Sequence, residues 1–531
     1  MEVSHVHLLA DFGHRIINIF WRILFLLTLF FAWTSSNLKI GDNWVFGTST
    51  TWVTTTFVIS ALAITISLIA YPKFRQIMKN IFITHQLWTA SILLILVVIW
   101  QIIFVTYVHP VSGFDAGMLH YAAVNPLHVL EPGVNAYYSI NQNNLPIMLV
   151  MRWLVVHTGQ SSWQFFDYLT LVLVDISAII NLLTIIVVKR DSLSIGIYMH
   201  AAWLAIFPSI LMPYSDAWVL PFVSMTLLCA AMIGYTKKSP SSLLIRGIFS
   251  ILLGISAAFI YPLKPSAIIP IIAMVIVAIL NWFAKTKHWT WNGTGITLLV
   301  TLLTIGAAGG TYAVINNAVQ NQTYIKINKS RVVPAIHFAA IAVYGEGGYS
   351  EKQAVAMAVL QTKDQKVAYS KKMLSKRLKE LGPLGYLKFI VLKQRNNTAD
   401  GTFGWLKEGH FFRENQKPSQ HGFANKLKNY IFLYGTHIAD FRFLAQFWWV
   451  GLLTIIALGW GEQMNFREML RLSLVGGFIF LLLFEGGRSR YLIQYLPCFL
   501  LLATLASKRS WHTIRLLLDR FNGTKPNPEN S

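Results

Sequence analysis

The chain has 531 residues, of which 55% are hydrophobic, 14% aromatic and only 12% charged, and its formal net charge is +22. Soluble domains carry about 25% charged residues, so this composition excludes a soluble protein. An excess of Lys and Arg would indicate a nucleic-acid partner in a soluble protein, but in a membrane protein the basic residues of short loops set the orientation, and no nucleic-acid partner is expected.

Twelve long apolar runs predict membrane-spanning helices and therefore an all-α polytopic membrane protein. A helix of about 20 apolar residues crosses the hydrocarbon core, and it satisfies its own backbone polar groups in lipid. The runs are residues 16–33, 51–71, 87–108, 164–188, 193–212, 217–235, 247–262, 266–283, 295–315, 441–460, 470–484 and 491–507.

Basic residues follow the even-numbered runs and predict the orientation. Because such residues accumulate in cytoplasmic loops, both termini are expected in the cytoplasm, with the chain in the plasma membrane. The first run lacks a small-residue cleavage site and is expected to remain as an anchor. Cys229 and Cys498 lie inside runs and offer neither a disulfide framework nor a metal cluster. The basic residues are Lys73, Arg75, Lys79, Lys189, Arg190, Lys237, Lys238, Lys285, Lys287, Lys508 and Arg509.

Two long stretches between the runs are both predicted to lie outside. Residues 109–163 contain an apolar piece at 145–159 that is short for a span, so we expect a helix that lies in or dips into the outer interface. If this piece crossed the membrane, the basic residues after the fourth run would move outside.

The second stretch, residues 316–430, is predicted to be a small, mainly helical extracytoplasmic domain. It holds nineteen Lys and Arg against seven Asp and Glu, a net charge of +12, and a loop of this length is exempt from the orientation rule. Ser350 predicts a helix start, the helical pattern continues until Gly382 and Pro383 stop it, and a second helix is predicted at 384–393.

These features divide the chain into five predicted parts. They are two N-terminal spans at 1–83, a transmembrane core at 84–315 with the loop 109–163, the basic domain at 316–430, the C-terminal spans at 431–521 and a disordered polar tail at 522–531.

Polar residues after odd-numbered runs predict one wet cavity at the outer face, because a charge near lipid is costly unless it is paired or hydrated. Arg488 and Arg490 could bind a phosphate bidentately, and Lys264 would add a point charge. Asp115 would serve as a general base. Asp216 follows the fifth run and belongs to the same face.

Simpler interpretations remain open for each of these residues. Arg488 and Arg490 could anchor the helix end to lipid headgroups, Asp115 could cap a helix that begins at Ala116, and Lys264 could be a plain interface residue. Asp175 and His200 lie within runs, where single polar residues more often pair with a neighbouring helix than bind substrate.

Short motifs occur in a defined order along most of the chain. They are Phe114-Asp115-Ala116-Gly117, Tyr138-Ser139, Asn143-Asn144-Leu145, Leu263-Lys264-Pro265, His337-Phe338, Gly347-Gly348-Tyr349, Asp400-Gly401-Thr402-Phe403 and Arg488-Ser489-Arg490-Tyr491. This order resembles a Gram-positive bacterial branch of the GT-C integral membrane glycosyltransferases. The resemblance implies a fold of many transmembrane helices, an acidic catalytic base in the first large outer loop, which Asp115 matches, and a sugar donor carried on polyprenyl phosphate.

Two departures from this family pattern matter. Many GT-C enzymes have two neighbouring acidic residues in the loop, whereas here Asp115 stands alone until Glu131, so a divalent metal has no support and no other cofactor is expected. The family often has two fewer spans before the loop, which makes the first two helices an added regulatory or packing pair.

The expected activity is an inverting sugar transfer from a polyprenyl-phosphate donor to a cell-wall polymer or a glycolipid at the outer face. Basic helices between residues 350 and 395 could recruit an anionic, teichoic-acid-like acceptor or anionic lipid heads, although a solvated basic face is common. Further substrate-binding candidates are Tyr138, Asn143, Asn144, His337, Glu485 and Tyr491.

Two other functional classes fit a chain of this kind. A flippase or transporter of lipid-linked saccharides would need ionisable residues deep in several spans, and often an internal repeat. A noncatalytic partner in cell-wall polysaccharide assembly would tolerate a neutral residue in place of Asp115.

Overall fold

The computed structural model describes residues 2–41, 48–236, 242–284, 291–345, 347, 350–404, 421–461 and 464–521. It is 84% helical, and this part of the chain contains no strand. The α-helices are α1 (Glu2–Trp33), α2 (Trp52–Ala70), α3 (Pro72–Lys79), α4 (Gln86–Tyr107), α5 (Phe114–Val124), α6 (Pro132–Ile140), α7 (Leu145–Thr158), α8 (Trp163–Lys189), α9 (Leu193–Ile206), α10 (Ser215–Trp218), α11 (Leu220–Tyr235), α12 (Leu243–Leu263), α13 (Ile269–Ala284), α14 (Trp291–Gln320), α15 (Ala335–Ile341), α16 (Glu351–Val359), α17 (Lys363–Thr398), α18 (Phe423–Ile431), α19 (Ile438–Leu458), α20 (Asn465–Phe484) and α21 (Leu496–Phe521).

Some predictions from the sequence fall outside the described residues. They concern Lys237, Lys238, Lys285, Lys287, Gly348, Tyr349 and the tail at 522–531.

Ten helical stretches in the described residues are long and apolar enough to cross a membrane. One of them, Trp163–Ile206, combines α8 and α9 through a 3-10 turn at Arg190–Ser192 and so contains two of the predicted spans. The predicted span at α20 is not among the ten, because Arg467, Glu468 and Arg471 lie in its first two turns. Every predicted span coincides with a helix, and the prediction of an all-α polytopic membrane protein is confirmed.

The loop at 109–163 folds into the three short helices α5, α6 and α7. The 14 residues of α7 span about 21 Å, whereas a hydrocarbon core is about 30 Å thick. Arg152 of α7 donates a hydrogen bond to Ala123 O at 3.2 Å, and its Cζ lies 5.1 Å from the centre of the Tyr324 ring. The charged residue of this apolar piece is therefore held within the protein, and the interfacial position of α7 stays a prediction.

The basic domain contains more helix breaks than the sequence pattern indicated. The Ser350 side chain caps α16 as predicted, but that helix ends at Val359, and Thr362 with Gln365 forms a complete capping box that starts α17. One continuous helix up to Gly382 was therefore a wrong prediction, because a second set of start residues lies inside the pattern. After a kink at Gly382, where φ is 60°, the helix continues to Thr398 rather than 393.

The end of α17 packs against α1 and α20 and forms a hydrogen bond with α19, and these contacts join the basic domain to the spans. Gln394 Nε2 donates to Thr28 Oγ1 at 3.0 Å, and Trp449 Nε1 donates to Thr398 O at 2.9 Å. A Cβ at Gly401 would lie 2.7 Å from the backbone oxygen of Ala445, so only glycine permits this approach. Part of the Asp400-Gly401-Thr402-Phe403 motif thus has a structural role.

The first two helices differ in how they are held. Helix α1 packs against α13, α17, α19 and α20 and belongs to the core. Helix α2 is almost entirely exposed, and its start is fixed by Asp440 of α19, which accepts hydrogen bonds from Thr51 N at 2.8 Å and from Thr54 Oγ1 at 2.6 Å. A packing role therefore fits α1 more closely than α2.

Candidate functional site

Two candidates that lie far apart in the sequence meet at one end of the helix bundle. Asp115 lies in the first turn of α5, and Arg490 lies in the 3-10 turn Ser489–Tyr495 that precedes α21. Arg490 Nη2 is 3.8 Å from Asp115 Oδ2. The Asp115 side chain is 34% exposed and that of Arg490 only 10%. The carboxylate is therefore open to a ligand, while the guanidinium group is mostly enclosed.

Two tyrosines orient the Asp115 carboxylate. Tyr137 donates to Asp115 Oδ1 at 2.7 Å and accepts a hydrogen bond from Asn144 Nδ2 at 2.6 Å. The Tyr214 hydroxyl lies 3.3 Å from both Asp115 Oδ2 and Asn144 Oδ1, and it can donate to one of them at a time. Burial, followed by the negative charge of Asp115, holds the pKa of both phenols well above its ordinary value. Both tyrosines thus stay protonated donors at neutral pH.

These contacts contradict the interpretation of Asp115 as a helix cap. The N-cap of α5 is Gly113, and no side chain there accepts a capping hydrogen bond. Phe114 begins the helix with a φ of 49°, in the left-handed region that is uncommon for a bulky side chain. Backbone strain of this kind occurs at functional sites more often than elsewhere.

Lys264 belongs to the same cluster and is not a plain interface residue. It is the C-cap of α12 and forms an ion pair with Asp216 of α10, whose side chain is 1% exposed. Lys264 Nζ lies 4.8 Å from the centre of the Tyr491 ring, and Arg490 Cζ lies 5.2 Å from the same ring. Tyr491 therefore lies between the two cations that are candidates for phosphate binding.

The loop from Glu485 to Arg488 is held against the basic domain. Gly487 N donates to Gly347 O, and a Cβ at position 487 would overlap that oxygen and lie 3.2 Å from the Cβ of Asn396 in α17. Burial raises the pKa of Glu485, while the positive charges of Lys264 and Arg490 act in the opposite direction. Glycine at position 487 therefore permits the close contact between this loop and the backbone of Gly347.

Lys393 of α17 supports this loop from the other side, and the sequence analysis did not identify it. Its Nζ donates to Ala342 O at 2.6 Å and to Leu482 O, in the last turn of α20, at 2.8 Å. Burial lowers the pKa of Lys393 to about 7, and the negative charge of Glu485 partly counters this shift. Phe389 and Asn397 share its helix face at a spacing of four residues and are also buried, which is a signal that could have revealed it.

The other predicted residues lie around the cluster or apart from it. Tyr138 is buried behind Tyr137 and donates to Met118 O at 3.3 Å, and Asn143 is exposed. Arg488 is half-buried. His337 is buried between α15 and α17, where its Nδ1 is 3.3 Å from Ser370 Oγ, and burial lowers its pKa to about 4. His337 therefore acts as a neutral core residue of the basic domain.

The described residues contain no group of three or more His, Cys, Asp or Glu side chains placed to hold a metal ion. The cluster instead combines carboxylates with guanidinium, ammonium and phenol groups. Such a set can bind an anion and accept a proton at adjacent positions.

Comparison with known proteins gave one match. The model of a family described as "conserved hypothetical integral membrane protein" matches residues 9–511. No curated protein and no solved structure matches the chain. The matched region includes every residue of the candidate site.

Proposed function

The chain belongs to this family of integral membrane proteins, and we propose that it is a glycosyltransferase of the plasma membrane. In this proposal it moves a sugar from a polyprenyl-phosphate donor to a cell-wall polymer or a glycolipid at the outer face, with inversion at the anomeric carbon. Asp115 is the general base, and Arg490 with Lys264 binds the donor phosphate.

The observation that carries the proposal is the pair formed by Asp115 and Arg490. At 3.8 Å their charged atoms attract each other but are too far apart for a direct hydrogen bond. A phosphate oxygen can therefore approach the guanidinium without first breaking a hydrogen bond between these two side chains. Transfer of a sugar from a phosphate-linked donor requires a base and an anion-binding group at adjacent positions.

In the proposed reaction, the acceptor hydroxyl attacks the anomeric carbon, and the bond from that carbon to the phosphate oxygen breaks. The hydroxyl proton moves to Asp115, which the phenols of Tyr137 and Tyr214 hold in place. The bonding electrons leave with the phosphate, whose negative charge increases. Preorganised cations at that position, Arg490 and Lys264, stabilise the developing charge.

The acceptor is proposed to be anionic, because the surface of α17 is basic. Along this helix most of the charged side chains are exposed, whereas Lys366 and Lys393 are buried. Polybasic surfaces attract anionic polymers and lipids over a distance set by salt. The exposed lysines are Lys363, Lys371, Lys372, Lys376, Lys379 and Lys388.

One observation favours a second candidate, a transporter of lipid-linked saccharides. Asp167 of α8 is fully buried, and neither of its carboxylate oxygens has a hydrogen-bond partner among the described residues. Within the same part of the chain, the amide atoms of Asn181 in α8 and Nε2 of His200 in α9 also lack partners. Ionisable residues inside spans often mark a transport pathway, but the ionisable ones here, Asp167 and His200, lie on only two helices.

The proposal is tested by complementing a deletion strain and analysing its cell-envelope glycans by mass spectrometry. Wild type should restore the missing glycan, whereas Asp115→Asn should not, because the amide cannot accept the proton. A general base contributes about 100- to 10,000-fold to a rate. The matched control is Asp191→Asn, an exposed carboxylate that pairs with Lys508 at 2.5 Å and should be fully active.

The variants also separate the three functional classes. Full complementation by Asp115→Asn would refute the catalytic role. If Asp167→Asn then failed while Asp115→Asn succeeded, transport would be favoured, and success of both would favour a noncatalytic partner. Release of polyprenyl phosphate by membranes of each strain, measured in parallel, reports on the transfer step itself.

A further inference from the structure

The end of the bundle opposite the candidate site holds a buried guanidinium group. Arg471 lies in the second turn of α20, and its side chain is only 8% exposed. Its Nε has no hydrogen-bond partner among the described residues. Helix α20 ends next to Glu485, so at 1.5 Å per residue Arg471 lies about 21 Å from that residue along the axis. The two places are therefore distinct.

Most of the charged groups around Arg471 are also positive. Arg467 of α20 and Arg22 of α1 act on it electrostatically, together with the carboxylate of Glu468. Glu468 already contacts His14 of α1, whose Nδ1 forms a hydrogen bond with it. Arg467 is 1% exposed and donates to Gly459 O at 2.9 Å. The carboxylate of Glu468, which already contacts His14, is thus the one acidic group among the described residues that acts on Arg471.

An aromatic wall fixes one side of this cluster. Arg471 Cζ lies 5.7 Å from the centre of the Trp460 ring. Trp460 stacks on Trp21 of α1 with ring centres 5.9 Å apart and planes inclined by 24°. Trp21 is fully buried, so the indole pair gives the guanidinium a rigid surface. The face of an aromatic ring attracts a cation, but it does not replace an oxygen acceptor for the N–H groups of the guanidinium.

Burial of a charged group without an acceptor is costly, and proteins normally pair such groups. A guanidinium carries five N–H donors in a planar fork that matches the oxygens of a phosphate. We propose that Arg471, with Arg467 and Arg22, binds a phosphate group at this end of the bundle. In the predicted orientation this is the cytoplasmic face, and the phosphate belongs either to an inner-leaflet phospholipid or to a soluble anion. The inference does not depend on the function proposed for the other end.

The test uses the full-length protein, delipidated in dodecyl maltoside micelles, which contain no phosphate. Thermal unfolding is followed with increasing inorganic phosphate against chloride of equal ionic strength, and with phosphatidylglycerol against neutral diacylglycerol. A ligand that binds only the folded state raises the unfolding midpoint. A rise with phosphatidylglycerol alone identifies a lipid headgroup, and a rise with inorganic phosphate identifies a soluble anion.

Arg471→Gln should weaken the apparent affinity by about 10- to 100-fold, the effect of losing a hydrogen bond to a charged group. Arg515→Gln, which removes an exposed arginine of α21, should respond as wild type does. Arg471→Lys keeps the positive charge but loses the planar set of N–H donors, and it replaces Arg471→Gln if that variant does not fold. The affinity of Arg471→Lys for phosphate should also fall. The proposal is overturned if wild type responds to neither ligand, or if the Arg471 variants respond equally.

Discussion

The contact between Gly487 and the basic domain leads to a prediction that does not depend on the identity of the substrate. In Gly487→Ala the new methyl group overlaps the Gly347 carbonyl oxygen and lies 3.2 Å from Asn396 Cβ. Neither neighbour can move away by rotating a flexible side chain. Because carbon atoms pack at about 3.5 to 4 Å, the loop must move by about 1 Å.

The cost of this movement follows from the contacts that it breaks. Loss of the backbone hydrogen bond between Gly487 and Gly347 costs about 1 kcal/mol, and overpacking adds about 1 to 3 kcal/mol. The loss of stability should therefore be about 2 to 4 kcal/mol. Arg490 follows Gly487 by three residues, and a misplacement of about 1 Å in an active site can cost about 100-fold in rate.

The assay compares Gly487→Ala with Gly306→Ala in full-length protein. Position 306 lies in α14 with no atom within 4 Å of the new methyl group, so alanine there should be neutral or stabilise the helix by up to about 1 kcal/mol. Unfolding midpoints in micelles and complementation of the deletion strain are measured together. Equal stability and equal activity of the two variants would refute the dependence of the site on this contact.

Two further predictions concern the neighbours of this loop. Tyr137→Phe removes the 2.7 Å hydrogen bond to Asp115 and should lower the rate of transfer about tenfold; Tyr138→Phe is the control and should leave it nearly unchanged. Lys393→Met tests the buried amine. The pKa of Lys393 is about 7 in the folded protein and about 10.4 in the unfolded chain. Between these two pH values the unfolded chain therefore binds more protons than the folded protein. Wild type should therefore gain stability relative to the variant as pH rises from about 6 to about 9, by at most about 1.4 kcal/mol per pH unit.

The readouts for these two variants are independent. Transfer by the tyrosine variants is measured as polyprenyl phosphate released per unit of folded protein, and a rate for Tyr137→Phe equal to the control would contradict the orienting role. For Lys393 the difference in unfolding midpoint between wild type and variant is followed against pH. If the midpoint of wild type minus that of the variant stays constant or falls as pH rises, burial does not lower the pKa of Lys393.

The sequence predicted the positions of the spans because hydropathy follows directly from composition along the chain. It also predicted that Asp115, Lys264 and Arg490 lie at one end of the bundle, because each follows an odd-numbered span. The order of the spans determines at which end of the bundle a residue lies, but it does not determine which residues of other helices are its neighbours. The ion pair of Lys264 with Asp216 and the position of Tyr214 depend on how helices pack around one another, which local pattern does not encode.

The sequence analysis missed other residues for different physical reasons. Lys393 lies in a helix with many exposed lysines, and only its three-dimensional neighbours distinguish it from them. Gly487 is required for the close approach of Gly347, a contact between residues far apart in the sequence that no local pattern encodes. The break before α17 was missed because the capping residues Thr362 and Gln365 fall within a continuous helical pattern.

The position of α1 in the core has a consequence for biosynthesis. Thr28 and Ala32 of this helix are made long before Gln394 and Gln446, which donate hydrogen bonds to Thr28 Oγ1 and to Ala32 O. At roughly 5 to 20 residues per second, the 366 residues from Thr28 to Gln394 take roughly 20 to 70 s to translate. Meanwhile the Thr28 hydroxyl can donate to Leu24 O within its own helix, as it does at 2.9 Å in the folded protein. Because this polar group already has a partner, α1 can remain in the bilayer until Gln394 is made. The candidate site is completed only after the segment that carries Arg490 has been made.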